Sequence, residues 1–141
     1  MSTENKNTIS VESTIHAPVE KVWEYWTAPE HITQWCFATP EWHAPEAQND
    51  VRTGGKFSTT MAARDGSFSF DFGGVYTDVK EHELIEYALT DNRKVKITFS
   101  AEGDNTKVVE TFDPEDTNPL EMQRGGWQAI LDNFRKYTEA N

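Results

Sequence analysis

Between Asp50 and Phe112 the chain alternates apolar and polar residues with period two, and turn signals interrupt that stretch at TGGK (53–56), RDGS (64–67), VKEH (79–82), TDNR (90–93) and EGDN (102–105). Five turns separate six strands, and connections this short join neighbours antiparallel, so the segment folds as a meander. Phe57, Thr59 and Met61 share one face of the second of these strands, and Val95, Ile97, Phe99 and Ala101 share one face of the fifth. In FSFDFGGVYTDV (68–79), Phe68, Phe70 and Phe72 set one parity while Val75, Thr77 and Val79 set the other. That switch predicts a β-bulge at Gly73-Gly74 and a strongly curved sheet.

The flanks of the meander read differently. ISVESTI (9–15) alternates Ile9, Val11, Ser13 and Ile15 against polar neighbours, which predicts a half-buried strand. In the next segment Pro18 suits a first helical turn, and Val19, Val22, Trp23 and Trp26 form one apolar stripe. Thr27 and Pro29 end this helix and open a second, short one whose Ile32, Trp35 and Cys36 share a face. FATPEWHAPEAQN (37–49) has two prolines and no period, so it is expected to be a long loop, with Trp42 and His43 as gate candidates. After the meander, Asn118 can cap a helix, Pro119 can occupy its first position and Glu121 follows in the first turn. That helix is predicted over about 119–138, roughly 30 Å long, with Trp127, Ile130, Leu131 and Phe134 on one face. The expected order is β, α, α, six β, long α.

The 141 residues allow one core of ordinary size: a single domain over 9–139 preceded by a frayed tail at 1–8. A hydrophobic content of 36% with five Trp and eight Phe demands a packed interior. The net charge of -11, with no basic cluster, argues against nucleic acid and against an anionic membrane surface as partners. No run is long and apolar enough to insert into a membrane, and MSTENKNT lacks the features of a signal peptide. Cys36 is the single cysteine, which rules out an internal disulfide and fits a cytoplasmic location.

IHAPVEKVWEYWTAPEHITQW, DVRTGGKF, GGVYTDV and GWQAILDNFRKY, in this order, resemble the family of activator of heat shock protein 90 ATPase homologues, within the SRPBCC or START-like superfamily. The resemblance covers about residues 8 to 139. It implies an α+β helix-grip fold, in which a curved antiparallel sheet of about seven strands wraps around the long C-terminal helix. It also implies an apolar ligand cavity between sheet and helix, in a superfamily that includes lipid carriers, polyketide cyclases and hormone receptors. The eukaryotic namesake stimulates a chaperone and carries an additional N-terminal chaperone-binding domain, for which this chain is expected to have no room.

Candidate chemistry is sparse. His31, Cys36 and His43 are spaced by 5 and 7, which matches no zinc pattern, and no metal or cofactor is expected. There is no G-x-S-x-G, and a Cys36–His43 pair would need a third orienting group and a depressed thiol pKa. TGGKF lacks the spacing and following helix of a phosphate loop and reads as a hairpin turn. Acid or base work could fall to Asp71, Arg64, Glu41 or His43, but Asp71 alternates with the phenylalanines and would face water if they face inward. DPEDTNPLE (113–121) reads as a solvated turn complementing a helix dipole.

The aromatic set carries the best functional reading. Trp35, Trp42, His43, Phe57, Met61, Phe70, Phe72, Tyr76, Gln123, Gly126, Trp127, Ile130 and Phe134 are the expected ligand-binding residues, with a small apolar or aromatic molecule as partner. Helical geometry sets Gly126 beside the inward stripe, near Gln123 and Arg124, and turns Gly125 to the opposite side, at a bend or an outer contact. Two alternatives stand beside this reading: an enzyme of the cyclase or hydrolase type using polar cavity residues, and a co-chaperone that activates the heat shock protein 90 ATPase.

Overall fold

The computed structural model describes residues 8–141, so the expected tail at 1–8 lies, apart from Thr8, outside the described residues. The elements follow as β1 (Ile9–Ile15), α1 (Val19–Thr27), α2 (Pro29–Trp35), β2 (Trp42–Asn49), β3 (Lys56–Ala63), β4 (Ser69–Lys80), β5 (Leu84–Leu89), β6 (Lys94–Glu102), β7 (Asn105–Phe112) and α3 (Leu120–Ala140). Among the described residues the order β, α, α, six β, long α holds in number, but only five strands lie between Asp50 and Phe112: the strand expected to start at Asp50 is absent, and β2 at Trp42–Asn49 takes its place. The seven strands form one antiparallel sheet in the order β1-β7-β6-β5-β4-β3-β2, so the chain's first strand closes one edge and its second strand the other.

Three local expectations need correction. Residues 42–49 are a strand rather than a loop. Pro45 disguises it, and the structure accommodates that proline where strand proline is tolerated: β2 is an edge strand, and its register with β3 slips between His43 and Glu46. The bulge in β4 lies beyond the glycines, because pairing with β5 is regular through Tyr76 and shifts before Asp78, which leaves Thr77 as the extra residue. Phe70, Phe72 and Tyr76 consequently share the inner face. Gly73 and Gly74 serve close strand approach instead: a Cβ on Gly73 would stand 2.6 Å from the Phe57 carbonyl oxygen, and one on Gly74 would collide with that of Ala88. Finally, Asn118 does not cap α3; Pro119 precedes the first turn, and the Asn118 amide donates to the Glu115 carboxylate at 2.6 Å.

The curved sheet wraps around α3, and alternation explains which face it turns inward. Buried Ile9, Val11 and Ile15 on β1, Ile85, Tyr87 and Leu89 on β5, and Val95, Ile97 and Phe99 on β6 all sit at alternate positions. Edge strand β1 is covered by the helix, whose Arg124 Nη1 donates to the Ser10 carbonyl at 3.1 Å and Gln128 Nε2 to that of Glu12 at 3.2 Å. An edge whose outward carbonyls are already engaged is a poor template for another strand. Arg124 is therefore committed to β1 and does not stand over the inner face.

One end of the grip is filled by aromatic side chains. Phe134 is fully buried and meets Trp26 and Trp35 edge-on at 4.7 and 4.9 Å, while Trp26 and Trp23 meet Phe99 at 5.8 and 5.2 Å. Such aromatic contacts add about 0.5–1.5 kcal/mol each beyond the area they bury. His31 ties α2 to α3 through a 2.7 Å hydrogen bond with the Tyr137 hydroxyl and stacks on Tyr25 at 4.0 Å. The two short helices are thereby locked onto the C-terminal half of α3, and the N-terminal half is left to span open space.

Candidate functional site

Under the N-terminal half of α3 lies a cavity of about 350 Å³, within the size range of small-molecule sites. The sheet supplies Phe57, Thr59 and Met61 from β3 and Phe70, Phe72 and Tyr76 from β4, each at alternate positions of its strand. Helix α2 closes one side with Ile32 and Trp35, and α3 forms the roof with Gln123, Gly126, Trp127 and Ile130. Trp127 is held flat by stacking on Phe112 at 3.9 Å. At the mouth, Phe70 and Met122 are 42% and 62% exposed, so the rim is apolar and open to solvent.

Ten of the thirteen residues expected from the sequence line this space: Trp35, Phe57, Met61, Phe70, Phe72, Tyr76, Gln123, Gly126, Trp127 and Ile130. Three lie elsewhere. Phe134 belongs to the filled end of the core, one helical turn beyond Ile130, where Trp26 and Trp35 close over it. Trp42 packs edge-on against Phe68 and Phe70 at 6.2 and 6.0 Å, because residue 42 begins β2 instead of hanging in a loop. His43 pairs with Ala62 of β3 and borders a separate shallow depression with Arg64 and Ser67.

Two roof residues are resolved further. Gln123 is consumed by the segment before α3: its Oε1 accepts from the Glu115 amide at 2.9 Å, and its Nε2 donates to the carbonyls of Glu115 and Asn118 at 3.1 and 2.8 Å. It shapes the mouth. Gly126 borders the cavity, and a Cβ there would meet nothing within 4 Å. Gly125 is also free of contacts, and α3 runs unbroken from Leu120 to Ala140, so the expected outer contact does not exist within the described residues.

The polar groups considered for catalysis sit outside. Asp71 is exposed and accepts from Thr60 Oγ1 at 2.8 Å, and Arg64 holds the Pro40 carbonyl at 2.9 Å. His31 is engaged with Tyr137, away from His43 on β2. Burial, with the Glu110 charge nearby, pushes the Cys36 thiol up to about 12. A thiol so raised is a poor nucleophile.

Beside the expected Tyr76 and Gln123, the polar chemistry of the cavity belongs to Glu110, Tyr87 and Asn49, which the sequence reading passed over. Glu110 lines the cavity and is 5% exposed, between Val11 of β1 and Ile97 of β6 and with Val108 and Phe112 on the same face of its own strand. Among the described residues, nothing hydrogen-bonds its carboxyl. Burial alone raises its pKa to about 8, so at neutral pH it is mostly protonated. Tyr87 is raised first by burial and then by Glu110, and Tyr76 by burial, although its hydroxyl donates to Asn49 Oδ1. Asn49 is anchored in turn, its Nδ2 donating to the Thr27 carbonyl at 2.7 Å. A signal existed: in TKVVETF, Glu110 occupies the same parity as Val108 and Phe112.

Comparison with known proteins agrees with the fold. The solution structure of the AHSA1-like protein from Aeromonas hydrophila is 40% identical, covers 95% of this chain and 93% of its own, and superposes with a TM-score of 0.89. A solution structure from Cytophaga hutchinsonii is 61% identical over 95% of this chain and 93% of its own, with a TM-score of 0.82. A crystal structure from Nitrosomonas europaea, 18% identical over 98% and 97% of the two chains, shares the fold at a TM-score of 0.82. None of the curated proteins matches. The family model described as Activator of Hsp90 ATPase homolog 1-like protein matches residues 16–139, and the chain belongs to that family, within the SRPBCC or START-like superfamily.

Proposed function

We propose that the chain binds a small, mainly apolar or aromatic molecule in the cavity between its sheet and α3, and does so in the cytoplasm. The observation that carries this reading is the cavity of about 350 Å³ itself, walled by side chains from β3, β4, α2 and α3. A core built only for stability would fill such a space, because the apolar side chains that line it forgo the contacts and burial that close packing supplies. The test uses 2-naphthaleneethanol, a neutral aromatic probe, in a thermal-shift titration. Binding raises the midpoint by mass action, and Gly126→Leu, which puts a side chain into the roof, should abolish the shift while leaving the fold intact. A probe that shifts both proteins equally, or neither, refutes the reading.

The family description favours a second reading more directly: activation of an Hsp90 ATPase. Exposed apolar side chains support it, with Phe68 at 59% and Leu120 at 48% available to a partner. Stimulated ATP hydrolysis on mixing with the chaperone, reduced by Phe68→Ser, is the expected result. Absence of stimulation at saturating protein rejects it.

A further inference from the structure

We propose that Glu110 makes the cavity selective for an amine: an aromatic or apolar molecule carrying one protonated amino group, whose nitrogen pairs with the Glu110 carboxylate. This inference rests on the cavity reading above and names its ligand class.

The cavity wall is electrically one-sided. Among the described residues, the titratable groups lining it are Cys36, Tyr76, Tyr87, Glu110 and Glu115, with no Lys, Arg or His; Arg93 acts on Glu115 and Tyr87 from outside the lining and is itself paired with Asp91 at 2.7 Å. Glu115, at the mouth, is held ionised by hydrogen bonds from Asn118 and Thr117. An anionic ligand, such as a fatty acid, would therefore meet the ionised Glu115 at the rim and, in the interior, a carboxyl that must stay neutral beside it, with no basic side chain in the described lining to receive it. A cation meets the opposite situation. The protein's net charge of -11 draws it in, and the faces of Trp127, Phe57 and Tyr87 accept cations favourably. Glu110 then offers a carboxyl without a hydrogen-bond partner among the described residues, more than nine-tenths buried and at the cavity surface.

Bringing an ammonium group to Glu110 favours the carboxylate over the acid. The carboxyl is mostly protonated at neutral pH when the cavity is empty, so binding at pH 7 releases its proton to solvent. The charges balance: a neutral acid and a cation become a carboxylate paired with that cation, plus one free proton.

Calorimetric titration compares 2-(2-naphthyl)ethylamine, 2-naphthaleneethanol and 2-naphthylacetate, in buffers of differing ionisation enthalpy at pH 7. The amine should bind the wild type about tenfold tighter than the alcohol, as one charge-assisted contact allows. It should release close to one proton, and the acid should bind weakest. Glu110→Gln should remove the amine's advantage and the proton release, while the alcohol still binds. If amine and alcohol bind the wild type alike without proton release, or if the acid binds as well as the amine, the inference is overturned and the cavity reading stands. If the alcohol itself fails to bind, the cavity reading fails first.

Discussion

Replacing Glu110 with glutamine should make the protein more stable at neutral pH, by an amount that grows with pH. The carboxyl moves from its ordinary value of 4.5 to about 8 on folding because burial penalises its charge. A raised carboxyl pKa means that the folded state holds a proton the unfolded state has released. The associated stability is complete below pH 4.5 and is lost as pH climbs towards 8. Within that window each pH unit costs about 1.4 kcal/mol. By pH 7 the wild type has lost about 3 kcal/mol on this account, reduced to about 2 if water enters the cavity and screens the carboxylate. Glutamine keeps the shape and never ionises, so the two proteins should be nearly equal at pH 4.5 and separate by about 2–3 kcal/mol at pH 7. For a chain of this size that corresponds to a midpoint difference of about 5–10 °C. Urea denaturation at pH 5, 6, 7 and 8, followed by the fluorescence of the five tryptophans, measures the gap. A difference that stays constant across this range would falsify the assignment of Glu110 as a buried, uncompensated carboxyl.

Other perturbations test the packing. Gly125→Ala places a methyl group in open space on an exposed helical surface and should stabilise by about 0.5–1 kcal/mol; a loss in chemical denaturation would reveal an outer contact after all. Thr138 Oγ1 is buried without a partner among the described residues, so Thr138→Val should be neutral or stabilising by about 1 kcal/mol, measured the same way. Phe134→Ala, in the filled end of the core, should cost about 3–5 kcal/mol. Trp42→Ala, on the half-exposed edge of β2, should cost markedly less, and equal losses would contradict the division of the core into filled and open ends.

Individual residues show where reading the chain succeeds. Alternation in KVKITFS and the helical spacing of Trp127, Ile130 and Phe134 identify inward faces because burial acts on each of these side chains in the same direction. Pro45 hid β2: proline argues against a strand unless the strand is known to lie at an edge, and edge position depends on pairing of the whole sheet. The double glycine drew the bulge to Gly73-Gly74, whereas Thr77 carries it and the glycines admit neighbouring carbonyls. Glu110 illustrates the same limit in the site. A carboxylate in a period-two strand ordinarily marks the wet face, yet Glu110 shares its parity with Val108 and Phe112 and faces inward.

Local periodicity carries the three helices, every strand but β2 and most of the cavity's apolar wall, because its hydrophobic consequence has one sign. Tertiary structure decided which aromatic residues fill space and which enclose it. Phe134 and Ile130 are neighbours on one helical face, yet α1 and α2 close over the first and leave the second beside a void. It also decided the chemistry of that void. Whether a carboxyl is solvated or buried depends on strands distant along the chain, and here β1 and β6 flank Glu110 and bury it in a largely apolar wall, with no hydrogen-bond partner for its carboxyl among the described residues.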